Sequence, residues 1–130
     1  MEKNDFPKYS QQILEFYQAR YKCPYTQVTT DNSAIICLAM NNEEIVGAVR
    51  VISDLSRHAE IVDLIVRKAY RKQQVGTKLV QLVLERLLKY KVKNIGLTTE
   101  PGIEWLIEFY KKIGFEPLER NAYLEYEQKE

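Results

Sequence analysis

Hydrophobic positions along this chain recur with two different periods, and each change of period marks a new element. Ser10 can cap a first helix, in which Ile13, Leu14, Phe16 and Tyr17 form an apolar stripe and Glu15, Gln18 and Arg20 a wet one. Pro24 follows soon after, and residues 21–32 read as a polar, aromatic loop. Residues 34–39 are a short apolar run rich in β-branched side chains, Asn41-Asn42-Glu43 is turn chemistry, and residues 44–52 are a second run. Together they predict a hairpin. Gly47 inside its second strand predicts a bulge or a close backbone approach. In residues 60–66, Ile61, Val62, Leu64, Ile65 and Val66 are interrupted only by Asp63, which predicts an interior strand covered on both faces.

Residues 75–89 carry the strongest helical pattern. Leu79, Val83 and Leu87 repeat every four residues beside Val80, Leu84 and Leu88, a stripe wide enough to lie flat on a sheet. Residues 94–98 form a further strand, parallel to 60–66 because a helix joins the two. Pro101 and Gly102 open a helix over 103–112, with Glu108 and Lys112 spaced for an i,i+4 pair worth ~0.2–0.5 kcal/mol. Gly114 stops that helix, and strands are expected at 115–118 and 122–127. The order α-β-β-β-α-β-α-β-β predicts an α/β (α+β mixed) fold, with helices on both faces of one mixed sheet.

Length and charge narrow the function. The 130 residues fit one domain over 1–130, with no linker, repeat or low-complexity tract inside it. A net charge of +1 gives no bulk pull on nucleic acid. No apolar run approaches the ~20 residues of a membrane span, and residues 1–5 lack the form of a signal peptide. Two cysteines, Cys23 and Cys37, fit a reducing cytoplasm and read as inert thiols. A single histidine, His58, excludes a histidine-built metal site, so no metal is expected.

Candidate chemistry concentrates where the buried strand 60–66 ends and the long helix begins. Arg67, Lys68, Arg71 and Lys72 lie between them, and Gly76 sits in the first helical turn. The first N–H groups of a helix have no intrahelical partner and lie at the positive end of its dipole, so this junction can hold a phosphate. By spacing alone it is equally a solvated basic connection. Tyr110 shares a helical face with Leu106 and Ile107, and by itself reads as core packing with a hydroxyl at the rim. Asp63 inside an apolar strand needs a partner or a function: it is a candidate proton acceptor, or the partner of a nearby arginine. Glu60, Glu100 and His58 read as solvated, and Trp105, Phe109 and Phe115 as core.

Two segments taken together resemble the GNAT superfamily of acyl-CoA-dependent N-acetyltransferases. The family follows a central strand ending in Val with [RQ]-x-x-G-x-[GA]; here Val66 is followed by Arg71-Lys72-Gln73-Gln74-Val75-Gly76. The family's F-Y-x-x-x-G-F appears as Phe109-Tyr110-Lys111-Lys112-Ile113-Gly114-Phe115. Element order matches over residues 34–127. One departure is Gln74, which stands where the family usually has Gly. If the site needs a positive φ, Gln74 adds strain but still supplies its N–H, so pyrophosphate binding is expected to be weakened or reshaped. The family's usual strand before the first helix is also not evident.

The resemblance implies a GNAT-like domain, mostly antiparallel with one splayed parallel strand pair, using acetyl-CoA. The pantetheine arm would run along Leu64, Ile65 and Val66, and the pyrophosphate would sit on Arg71, Lys72, Gln73, Gln74, Val75 and Gly76, with Thr77 next in line. An amine attacks the thioester directly, a main-chain N–H near Val66 stabilises the oxyanion, and Tyr110 protonates the departing thiolate. Asp63 is the candidate base. Tyr21, Tyr25 and Thr26 would line the acceptor side. The acceptor is expected to be a small-molecule amine or a peptide, and the protein a monomer or homodimer with neither nucleic acid nor membrane as partner. Two other readings stay open: a catalytically weak CoA-binding sensor or partner domain, and an interaction domain without a ligand.

Overall fold

The computed structural model describes residues 6–20, 25–98 and 104–117. The chain divides into two compact units, Met1–Thr98 and Thr99–Glu130.

In the first unit, α1 spans Phe6–Gln18. It begins ahead of Ser10, which lies inside the helix and does not cap it. Pro7 falls in the first turn, where its missing N–H forfeits no helical bond. The expected stripe holds: Ile13, Phe16 and Tyr17 are buried. The region read as loop contains a short helix, α2, over Gln27–Asp31. Its five residues carry too little periodicity to show in the sequence.

Strands β1 (Ile35–Asn41), β2 (Glu44–Ser53), β3 (His58–Val66) and β4 (Asn94–Leu97) form a four-stranded sheet in the order β1-β2-β3-β4. β1 and β2 pair antiparallel through a turn in which Asn42 takes a φ of 58°, a conformation Asn tolerates well. β2 and β3 are antiparallel, and β3 and β4 parallel. β3 is therefore interior, as its apolar run predicts.

Side chains alternate between the two faces of the sheet. Ile36 and Ala48 join Ile13, Phe16, Tyr17 and Tyr25 in one cluster, with Leu38 and Ile65 packed against it. Ile35, Cys37, Val49 and Val51 are in the opposite phase and are also buried. The long helix α3, Val75–Lys89, lies against β1, β2 and β3 and buries Leu79, Val80, Val83 and Leu87. Its stripe is narrower than the sequence suggests, since Leu88 is 65% exposed. Gly47 provides a close approach: a Cβ there would stand 3.2 Å from both Val75 Cγ1 and Leu79 Cδ1. The first turn of α3 is thus seated directly on β2.

In the second unit, α4 spans Glu104–Ile113. The Gly114 N–H donates to Lys111 O at 3.1 Å, and the Phe115 N–H donates to Tyr110 O at 3.1 Å. With Gly114 at a φ of 125°, this is a Schellman stop. Glu108 pairs with Lys111 at 3.5 Å and not with Lys112, the i,i+3 neighbour being the one in reach. Trp105, expected in the core for its size, is 72% exposed. Residues 115–117 form no strand, and the remainder of the two expected C-terminal strands lies outside the described residues. No described helix is long and apolar enough to cross a membrane.

Candidate active site

The end of β3 departs from regular pairing in two ways. The parallel ladder with β4 runs from His58 opposite Asn94 to Ile61 opposite Leu97. Among the described residues, 62–66 therefore have no parallel partner. On the other side, the β2 ladder sets Arg50 opposite Val62 and Ala48 opposite Ile65. Asp63 and Leu64 thus face Val49 alone, which is a β-bulge. Asp63 takes the left-handed conformation within it, at a φ of 56°.

Beyond the bulge the Arg67 N–H donates to Val46 O at 2.8 Å. Groups alternate along a strand, so the N–H and C=O of Val66 turn away from β2 toward the open edge. There Arg71 Nε donates to the Val66 carbonyl at 3.0 Å.

A 3₁₀ turn at Lys68–Tyr70 follows. Asn41 Nδ2 donates to the Tyr70 hydroxyl at 2.8 Å, and Gln73 Nε2 donates to Ala69 O at 3.2 Å. Lys72 and Gln74 are both left-handed, each with a φ of 64°. Gln74 is the N-cap of α3 and makes no side-chain capping bond. The first helical bond runs from the Lys78 N–H to Gln74 O at 3.0 Å, so the N–H groups of Val75, Gly76 and Thr77 have no acceptor within the helix. A left-handed residue followed by a helical one points successive N–H groups into a shared concavity that suits an anion. Gln74, which stands where the family usually has Gly, takes a positive φ here. These donors fit a diphosphate.

A cleft of about 720 Å³ adjoins this loop, with Arg20, Glu44, Ile65, Arg67, Tyr70 and Arg71 among its walls. Arg67 pairs with Glu44. Arg20 lies 4.0 Å over the Phe16 ring and donates to Phe16 O at 2.8 Å. Burial, and then the charge of Arg67, holds the Arg20 guanidinium below its ordinary range. Among the described residues of its wall, Arg20, Arg67, Lys68 and Arg71 against Glu44 make the cleft electropositive.

Asp63 is not a free carboxylate. Arg50 Nε donates to its Oδ2 at 2.5 Å, and Arg50 Nη1 donates to the hydroxyl of buried Ser33 at 3.1 Å. The Tyr17 hydroxyl donates to Asp63 O at 2.8 Å. Sequence reasoning singles out Asp63 but misses Arg50, Tyr17 and Ser33. A signal is present: Arg50 and Asp63 are opposite charges flanked by apolar residues in two adjacent strands.

Tyr25 is in the core and does not line the cleft. It stacks on Tyr17 at 4.6 Å, and its hydroxyl is 3.0 Å from Thr30 Oγ1. Tyr21 and Glu100 lie outside the described residues. His58 is exposed and bonds Glu60 through Nε2 at 2.8 Å. Cys37 is buried, and burial pushes its thiol up, which keeps it protonated and inert.

In the second unit, the Tyr110 ring meets Phe109 and Phe115 edge-on, with centroids 5.0 and 5.8 Å apart. Burial raises the Tyr110 hydroxyl above its usual pKa. The spacing of F-Y-x-x-x-G-F has a local cause: the Schellman turn brings Phe115 back onto Tyr110.

The model of the acetyltransferase (GNAT) family matches residues 2–115. This chain belongs to that family. Among curated relatives, the GNAT chain is similar to N-alpha-acetyltransferase 30 of Schizosaccharomyces pombe, 33% identical over 82 residues. That match takes in 60% of this chain and 55% of the relative, so the chain spans about half of that protein's length. Among solved structures, a GNAT family acetyltransferase of Streptococcus pneumoniae superposes with a TM-score of 0.77 at 25% identity, covering 92% of this chain and 91% of that one. An aminoglycoside acetyltransferase from an uncultured soil metagenomic sample, solved with sisomicin, has a TM-score of 0.71 at 17% identity, covering 99% and 93%. At that identity it bears on the fold alone.

Proposed function

We propose that this protein is an N-acetyltransferase that moves an acetyl group from acetyl-CoA to a primary amine of a small molecule or peptide. The observation that carries the reading is the junction of β3 and α3, where a left-handed Gln74 and three unpartnered helix N–H groups face one concavity. Residues Arg71, Lys72, Gln73, Gln74, Val75, Gly76 and Thr77 would hold the diphosphate, and Leu64, Ile65 and Val66 the pantetheine arm. When bound, the cofactor supplies an activated acyl thioester.

The remaining chemistry falls to the chain. The Val66 N–H, turned away from β2, would donate to the acyl oxygen of the bound thioester. An amine is mostly protonated near neutral pH, so a proton must leave it, directly or through water. By its motif match, Tyr110 Oη would be the group that returns a proton to the thiolate of CoA. Burial raises the hydroxyl above its usual pKa, so it carries its proton at neutral pH. Tyr110→Phe is expected to lower kcat by about 10²- to 10⁴-fold, the usual contribution of a positioned acid, with CoA affinity by calorimetry nearly intact. Unchanged turnover would remove Tyr110 from the role.

Gln74 favours a second reading, a CoA-binding domain that transfers poorly, because a strained residue occupies the cradle. Tight acetyl-CoA binding with no transfer to any amine in a broad screen would select it.

A further inference from the structure

We infer that Arg50 and Asp63 are a positioning pair that fixes the β3 bulge and so aims the main chain of residues 64–66 along the open edge. The inference rests on the proposal that this edge receives the acyl thioester.

The register shows what the bulge does. Val62 lies opposite Arg50 and Ile65 opposite Ala48. Continued without the extra residue, the ladder would set Val66 opposite Val46, in the place Arg67 now holds. The N–H and C=O of Val66 would then turn inward to β2, and Ile65 would leave the α1-side cluster for the other face. The bulge is therefore what turns the Val66 main chain away from β2.

Asp is among the residues that tolerate left-handed backbone, and here further contacts hold Asp63 in it. Its side chain is tied to Arg50 at 2.5 Å and its carbonyl to the Tyr17 hydroxyl at 2.8 Å. Arg50 is anchored in turn to Ser33, whose hydroxyl donates to Thr29 O at 3.0 Å in α2. α1 and α2 thus reach the bulge through side chains, and none of these contacts involves the cofactor loop. Among described side chains, no buried polar atom lacks a partner.

The opposite reading makes Asp63 the proton acceptor, and kinetics separates the two. Asp63→Asn and Arg50→Lys, the latter keeping the charge in case larger changes unfold the protein, are compared with the double variant. A positioning pair lowers kcat by about 10- to 100-fold in each single variant. The double variant is no worse than the poorer single, acceptor KM changes little, and the acid limb of the kcat–pH profile survives. Amide exchange at Ile65 and Arg67, whose N–H groups face β2, accelerates about tenfold or more in both. Loss of the acid limb in Asp63→Asn with wild-type kcat in Arg50→Lys would overturn the inference, as would unchanged exchange in both. If the unaltered protein acetylates no amine, the transferase proposal fails on its own, and the exchange measurement still decides the pair.

Discussion

Gln74 is the residue whose identity and conformation disagree most. Its φ of 64° is left-handed, where an L residue incurs ~1–2 kcal/mol that Gly does not. The sequence exposes the departure from Gly, and the backbone gives its reason for mattering. Gln74→Gly is expected to change stability by less than about 1 kcal/mol, because relieved strain is offset by a freer unfolded chain. It should tighten CoA binding several-fold by letting the ligand closer. Gln74→Val, β-branched at a positive φ, should cost about 1–2 kcal/mol and weaken binding. Calorimetric titration and denaturant unfolding of both variants check this, and weaker binding in Gln74→Gly would contradict it. Asp63 teaches the complementary lesson. A lone carboxylate in an apolar strand signals importance, but which arginine it meets depends on the register between β2 and β3, and no spacing within one strand encodes that.

At the scale of elements, long periodic segments are legible and short or aperiodic ones are not. α1 buries the stripe its pattern predicts, α3 buries Leu79, Val80, Val83 and Leu87 but leaves Leu88 exposed, and β3 takes the interior position its run predicts although residues 62–66 are only partly buried. α2 escapes because its five residues barely exceed one turn. The start of α1 is ambiguous in the sequence because Ser10 resembles a cap while Pro7 serves equally well inside a first turn. Gly47 stands out by its position in a strand, and its purpose is the seating of α3. Val75 Cγ1 and Leu79 Cδ1 would lie 3.2 Å from any Cβ placed there, so a larger residue must lift the first turn. Gly47→Val is expected to destabilise by about 1–3 kcal/mol, as overpacking does. It should also weaken CoA binding, since the same turn carries the anion-facing amides. A urea midpoint that falls with no change in CoA affinity would show that the turn's seating does not matter to the ligand.

At the scale of the whole molecule, burial leaves a mark on the dependence of stability on pH. Burial raises the Cys37 thiol and, in Tyr25 and Tyr110, the phenol hydroxyls. A group whose folded pKa lies above its unfolded one contributes stability in full below the unfolded value and loses it as pH climbs through the folded value. Stability should therefore hold from pH 7 to about 8.5 and then decline, first through Cys37 and, past about 10, through the tyrosines. Denaturant unfolding across this range tests it, with Cys37→Ala expected to delay the onset; stability that rises with alkalinity would contradict it. Family membership is legible from two short segments because each has a local physical cause, an anion-facing helix start and a Schellman stop. The acceptor is not: of the residues expected to face it, Tyr25 is in the core, Thr26 is the exposed N-cap of α2, and Tyr21 lies outside the described residues.

The measurement that bears most directly on the central claim is a crystal structure of the protein with acetyl-CoA bound. The account predicts the diphosphate oxygens at about 3 Å from main-chain N–H groups between Lys72 and Thr77, with the pantetheine arm along Leu64, Ile65 and Val66. A coenzyme bound elsewhere, or a diphosphate held by side chains with those amides untouched, would contradict it.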